Sequence, residues 1–192
     1  MTKKRCDWCE GTFEQYIDYH DQEWGVPNHD DQIHFEFLIL ESAQAGLSWS
    51  TILKKRQGYK ALFADFKVED VAQFTPGIVE ELLLDPRIIR NRLKIEGAIN
   101  NAKRFMEIQS EFGSFDKYIW GFVNGKVKVG RWKSMDQVPA TTKESDALAK
   151  DLKKRGFKFL GSTTIYAHMQ AMGLVNDHTI DCYRYQELID QS

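Results

Sequence analysis

The sequence predicts an all-α fold, a single helical domain over residues 1–192. Three observations point there. Apolar residues recur at helical spacing over long stretches, as Ile88, Ile95, Ile99, Ala102 and Met106 do. Capping residues and breakers bracket those stretches, with Asp30 or Asp31 before one and Gly46 after it, and Thr75-Pro76 before another and Asp85-Pro86 after it. Only Lys126 to Trp132 alternates enough to read as extended chain.

The first thirty residues read as irregular, with the turn formers Asp21, Gly25, Pro27, Asn28 and Asp30. They also hold Cys6, Trp8, Cys9, Tyr16, Tyr19, His20 and Trp24, so something must tie them down. A helix is expected over Gln32 to Ala45, ended by Gly46, and a second from the Ser48 cap to about Lys60. Short helices follow over Val68 to Gln73 and from Pro76 through Leu84. A long helix is expected from Arg87 to Glu111, ended by Gly113, with Ser114 capping Phe115 to Phe122. Asn124-Gly125 is a turn. Thr141 with Glu144 reads as a capping box for a helix to about Arg155, which Gly156 stops. A further helix runs from the Gly161 region to about Met172, and a last one starts near Asn176. Nothing repeats, and no linker separates domains.

Composition narrows the functional classes. No apolar run is long enough to cross a bilayer, and the basic Met1–Arg5 segment leads into Cys6-Asp7-Trp8-Cys9 with no secretory h-region, so a cytoplasmic location is expected. Three cysteines suit thiols or metal ligands better than a disulfide framework. A net charge of −2 argues against wholesale coating by nucleic acid but permits a local basic face. Lys54-Lys55-Arg56, Arg87 to Lys94 and Lys153-Lys154-Arg155 are candidate parts of one.

Three stretches carry chemistry. In Glu41-Ser42-Ala43-Gln44-Ala45-Gly46-Leu47-Ser48-Trp49, an acid, small residues and a tryptophan fit the wall of a narrow, flat pocket. The plainer reading is a tight helix–helix corner with Glu41 reaching solvent. In Lys154-Arg155-Gly156-Phe157-Lys158-Phe159-Leu160-Gly161-Ser162-Thr163-Thr164, a short glycine turn leaves free N–H groups at the start of a helix. Such an end attracts a phosphate, though an ordinary helical hairpin looks the same. Finally, His178 and Cys182 are four apart in an expected helix. With Cys6 and His20 they make a Cys₂His₂ set suited to a closed, structural zinc site, with Cys9 competing for the place of Cys6. The alternative is a pair of buried thiols beside unrelated histidines. His29, His34 and His168 have no ligand-like partners in sequence.

These motifs resemble the bacterial 3-methyladenine DNA glycosylase I family, among the helix-hairpin-helix glycosylases. The resemblance rests on Tyr19-His20-Asp21-Gln22-Glu23-Trp24-Gly25-Val26-Pro27, the Glu41–Trp49 stretch with Leu53-Lys54-Lys55-Arg56, Lys154 to Gly161, and Gly173-Leu174-Val175-Asn176-Asp177-His178, in order over nearly the whole chain. It implies a helix-hairpin-helix near 148–172 and one structural Zn²⁺ on Cys6, His20, His178 and Cys182, stapling 6–20 to 178–182. It also implies monofunctional hydrolysis of the N-glycosidic bond of 3-methyladenine in alkylated double-stranded DNA after base flipping, without lyase activity. The chain would act as a monomer with no membrane partner.

Other helix-hairpin-helix glycosylases carry a catalytic aspartate in a Val-Asp-x-His context; here Asn176 takes its place and Asp177 is displaced by one. That absence suits a cationic base, which departs as a neutral leaving group and needs little acid catalysis. By the same resemblance Glu41 is the candidate catalytic and base-binding acid, with Tyr19 and Trp49 stacking on the base and Trp8 and Trp24 completing the wall. Lys158, Gly161, Ser162 and Thr163 are the candidate DNA-binding residues. A non-catalytic DNA-damage-binding protein is the alternative. A zinc nucleobase deaminase is disfavoured because its His-x-Glu and Pro-Cys-x-x-Cys signatures are absent.

Overall fold

Helix α2, Asp31–Gln44, is buried without interruption from His34 to Ala43 in a computed structural model that describes residues 3–191. A helix buried all round must be wrapped by others, and α2 packs against α3 (Trp49–Leu62), α6 (Arg92–Phe112), α7 (Phe115–Gly121) and α9 (Ser162–Ala171). Its start is fixed twice. The Asp30 carboxylate accepts from the N–H groups of Gln32 and Ile33, and the Asp31 carboxylate accepts from Phe115 N, Asp116 N and Gln109 Nε2. Its last turn is held from α6, where Lys94 Nζ donates to the carbonyls of Ala43 (2.7 Å) and Ala45 (2.8 Å). Gly46, at φ +81°, then turns the chain, and the Ser48 hydroxyl caps α3 through Thr51 N.

The predicted helical character is observed, with α1 (Glu14–Gln22), α4 (Val68–Ala72), α5 (Pro76–Leu84), α8 (Lys143–Lys154) and α10 (Tyr183–Asp190) completing the α-helices among the described residues. Several details differ. The N-terminal segment is not irregular: a 3₁₀ turn at Asp7–Cys9 leads into α1, which buries Tyr19 and His20. Of the turn formers, Asp21 lies within that helix, and Gly25, Pro27, Asn28 and Asp30 follow it. Helix α6 starts at Arg92 rather than Arg87, because Asn91 caps it through Lys94 N while the Asp85 carboxylate holds Arg87 in a turn. Ile88 is buried from that turn, so apolar spacing alone misled. The capping box is Thr142 with Ser145, and Glu144 instead lies 3.3 Å from Lys128.

The largest difference is near the C-terminus. Val175–Asn176 forms β2, paired in parallel with β1 (Lys128–Val129) in the register Lys128↔Val175 and Val129↔Asn176. Residues 177–182 are a non-helical loop, and α10 begins only at Tyr183. His178 and Cys182 therefore do not share a helix face.

The segment between α1 and α2 lies against the end of α9. Gly25 N donates to the Gln170 carbonyl, and Asn28 N to the Met172 carbonyl. Gly173 makes this approach possible: its φ is +69°, and a Cβ there would lie 2.3 Å from Val26 C and Pro27 N. Gly173→Ala is expected to destabilise the fold by roughly 2 kcal/mol or more, through strain and backbone overlap. A urea melt compared with wild type checks this.

Candidate active site and metal centre

Helices α1, α2, α3 and α9 and the N-terminal turn line an open cavity of about 160 Å³. Its lining is Trp8, Tyr16, Tyr19, Trp24, Glu41, Gln44, Trp49, Ala167 and Gln170. That is smaller than the ~300 Å³ or more of a drug-sized site, and suits a single small planar guest. The walls are aromatic. Tyr19 lies 5.4 Å from Trp49 and 6.3 Å from Trp8, and Trp8 meets Trp24 edge-on at 5.1 Å. Arg56 braces this wall from behind, donating to Glu23 (2.8 Å) and Glu36 (2.7 Å) and so joining α3 to the end of α1 and to α2.

Glu41 is the acid of the cavity lining. It is 4% exposed, in contrast to the solvent-facing corner reading, and its carboxyl has no hydrogen-bond or ion-pair partner among the described residues. Burial pushes its pKa up to about 8. The neighbouring Tyr19 phenol is held well above its usual range by burial and then by the Glu41 charge. Trp49 Nε1 is likewise buried without a partner. Buried polar groups are ordinarily paired, so an orphaned carboxyl and an orphaned N–H at one cavity mark a place where a guest supplies the partners.

All five base-binding candidates, Tyr19, Glu41, Trp49, Trp8 and Trp24, line this one cavity. Gln44, from the stretch read as a pocket wall, lines it too, and Tyr16, Ala167 and Gln170 do so without having been anticipated. Tyr16 stands three residues before Tyr19 on α1, so reading that segment as a helix would have found it.

The same N-terminal segment is anchored at a second centre. One ligand-capable atom from each of Cys6, His20, His178 and Cys182 lies within 4.8 Å of the others, and all four residues are buried. His178 Nδ1 is 3.5 Å from Cys6 Sγ and 3.4 Å from Cys182 Sγ, and His20 Nε2 is 3.5 Å from Cys182 Sγ. Each imidazole is oriented from behind. His20 Nδ1 faces the Asp21 carboxylate at 2.8 Å, and His178 Nε2 faces the Trp24 carbonyl at 2.9 Å. A carboxylate and a carbonyl only accept, so those nitrogens carry the protons and the inward nitrogens offer lone pairs. Arg5 grips Asp21 through two nitrogens; burial pushes this carboxyl up, but the hydrogen bonds from Arg5 and His20 outweigh it and hold the pKa below the usual range. Cys9 is not part of the group; its thiol is turned to the Cys6 carbonyl at 3.2 Å.

The two centres share walls. Trp8 packs edge-on to His20 at 5.2 Å, and Trp24 packs edge-on to His178 at 4.6 Å. Both tryptophans thus line the cavity and cover the ligand cluster.

The turn between α8 and α9 carries the remaining candidates. Gly156 at φ +91° ends α8, and two asparagines of α6 hold the loop. Asn100 Nδ2 donates to the Gly156 carbonyl, while Asn101 both donates to the Lys158 carbonyl and accepts from Lys158 N. No side chain caps α9, and Lys158, Gly161 and Thr163 are exposed. The Ser162 hydroxyl is committed internally, donating to Asp146 at 2.6 Å, so only its backbone N–H faces outward chemistry. Arg155 is also engaged, with Glu111 and Asp151.

Known proteins share this sequence and this fold. The family described as methyladenine glycosylase matches residues 8–185. The DNA-3-methyladenine glycosylase 1 of Escherichia coli (strain K12) is 46% identical over 182 residues, covering 95% of this chain and 97% of its own. The DNA-3-methyladenine glycosylase of Haemophilus influenzae is 46% identical over 178 residues, 93% of this chain and 96% of its own. Among solved structures, the 3-methyladenine DNA glycosylase I of Staphylococcus aureus, studied for its recognition of 3-methyladenine, superposes with a TM-score of 0.88 at 40% identity, over 92% of this chain and 95% of that one.

Proposed function

The chain belongs to the methyladenine glycosylase family, and from that premise we propose that it takes a flipped 3-methyladenine from alkylated duplex DNA into the cavity at Glu41 and hydrolyses its N-glycosidic bond there. The observation that carries this reading is a buried, unpartnered carboxyl inside an aromatic box. Methylation at N3 makes adenine a cation in DNA. Aromatic faces attract a cation, and an ionised Glu41 complements its charge and accepts from its N–H groups. The base leaves neutral, so no aspartate is needed to protonate it, consistent with Asn176 in the position where related enzymes carry one. Extrusion from the duplex costs a few kcal/mol, offset by stacking and hydrogen bonds in the cavity. Asp177, beside Asn176, is itself buried and hydrogen-bonded within the protein rather than facing a reacting sugar.

The α8–turn–α9 unit serves as a helix-hairpin-helix. Lys158 and the uncapped N–H groups at Gly161, Ser162 and Thr163 offer a phosphate a dipole, donors and a charge without reading sequence. Lys158→Ala is expected to weaken binding to all DNA sequences alike and to lower the slope of log affinity against log salt by about one. Fluorescence titrations at several salt concentrations read that slope.

The Cys6, His20, His178 and Cys182 group fits Zn²⁺ by its chemistry: two thiolates, two imidazoles with lone pairs turned inward, and no open position for water. Bound there, zinc supplies cross-linking of the N-terminal segment to the 178–182 loop and no step of the hydrolysis. Release of free 3-methyladenine from methylated duplex DNA tests the whole reading. DNA binding with no base release would instead favour a damage-binding protein.

A further inference from the structure

Gln170 stands on α9 and lines the base cavity, and its amide is not free to rotate. Gln170 Nε2 donates to Asp177 Oδ2 at 2.9 Å. The same oxygen accepts from the Tyr166 hydroxyl at 2.6 Å, and Asp177 Oδ1 accepts from Trp132 Nε1 at 2.7 Å. Asp177 is 2% exposed and meets only donors in these contacts. A rotated Gln170 amide would put its carbonyl oxygen against a buried carboxylate, which is repulsive and leaves a lone pair unmet. The amide is therefore locked with its nitrogen on Asp177. Its Oε1 is left without a partner among the described residues.

The chain gives up side-chain volume to build this lock. A Cβ at Gly130 would lie 2.1 Å from Trp132 Nε1 and 2.6 Å from Asp177 Oδ1, so only glycine admits the tryptophan–aspartate hydrogen bond. Gly130 N is in turn bonded to the Asn176 carbonyl, which continues the β1–β2 pairing up to Asp177.

We propose that Asp177 is a positioning residue that holds Gln170 as a fixed hydrogen-bond acceptor in the base cavity, selecting purines with a 6-amino group against those with a 6-oxo group. The inference rests on the reading that this cavity takes the flipped base. A carboxyl such as Glu41 can accept or donate according to its protonation. Gln170 Oε1, with the amide fixed by Asp177, can only accept. A 6-oxo purine placed against it sets two acceptors together, and an unmet buried acceptor weakens binding by about tenfold or more.

The test measures dissociation constants of two free bases, 3-methyladenine and 3-methylhypoxanthine, by quenching of the cavity tryptophans. These bases differ in their 6-substituent and the proton on N1. Wild type is expected to prefer 3-methyladenine by about tenfold or more. Asp177→Asn can meet either end of the Gln170 amide, so the preference should narrow at least fivefold. Gln170→Leu should narrow it likewise, and adding Asp177→Asn to Gln170→Leu should change it no further. A merely structural role for Asp177 would weaken both bases equally, and an unchanged ratio in a variant that still binds 3-methyladenine overturns the proposal. So does a ratio that shifts on Asp177→Asn even in the Gln170→Leu background. A wild-type protein that binds neither base overturns the cavity reading, and this one with it.

Discussion

Glu41→Gln is expected to lose excision of 3-methyladenine by on the order of 100-fold, while the folded protein becomes more stable. Both effects come from the same burial. The carboxyl has no partner among the described residues, and burial raises its pKa from the ordinary 4.5 to about 8. Between those values the unfolded chain is ionised and the folded chain keeps its proton. Stability therefore falls as pH rises through that window, by up to about 1.4 kcal/mol for each pH unit. Glutamine has no such linkage. Its advantage should be absent at pH 4, grow through neutrality and level off above pH 8, reaching a few kcal/mol. Melting temperatures of the two proteins across that range give the comparison. A parallel pair of curves would mean that Glu41 finds a partner in solution.

Activity should show the opposite dependence. Only ionised Glu41 complements a cationic base, so wild-type kcat/KM is expected to rise with pH and level off near 8, the pKa of the free enzyme. Glu41→Gln should lack that limb of the profile. The residue proposed to recognise the base is thus expected to oppose folding at neutral pH. The fold tolerates it because α2 is tied at both ends, by Asp30 and Asp31 at the start and by Lys94 at the finish.

Much of this arrangement could be read from residues in a line. Caps and breakers located α2, α3 and α5 because an aspartate, a serine or a Thr-Pro pair acts within a few residues of itself. Glu41 and Trp49 could be paired across Gly46 because the corner that joins them is local. Helix α1 was missed because its polar run, Glu14 to Gln22, owes its place to Tyr19 and His20 facing a cavity and a ligand cluster far away in sequence. The parallel pairing of Lys128 with Val175 is equally non-local, and two residues carry too short a pattern to announce a strand. The four candidate ligands show the limit from the other side. Their types were legible, but the helix invoked to bring His178 and Cys182 together does not exist, and a loop brings them together instead. Gln170 gave no signal, since its role depends on Asp177, Tyr166 and Trp132 meeting in space.

Loss of the metal centre should be the most damaging change to the fold. Purified protein is expected to hold about one equivalent of zinc per chain, and Cys182→Ala to hold almost none. The consequence should reach the cavity. Cys6 and His20 belong to the segment that supplies Trp8, Tyr16, Tyr19 and Trp24 to the aromatic walls, whereas His178 and Cys182 come from a loop near the other end of the sequence. Without a cation the cluster is two buried thiols and two imidazoles whose inward atoms have few donors to share, an arrangement that costs free energy where a metal bond supplied it. Structural zinc contributes roughly 10 kcal/mol or more in small isolated domains. Here most of the buried core is supplied by other elements, α2 and α6 among them, so partial unfolding is expected in place of total collapse. Far-ultraviolet circular dichroism of Cys182→Ala should keep most of its helical signal, while tryptophan fluorescence shifts red and 3-methyladenine binding is lost. Glu41→Gln separates the two centres: it should retain zinc and the native emission spectrum. A metal-free wild-type protein with native fluorescence and normal melting would show that hydrogen bonds alone, from His20 to Asp21 and from His178 to Trp24, suffice to hold the segment in place.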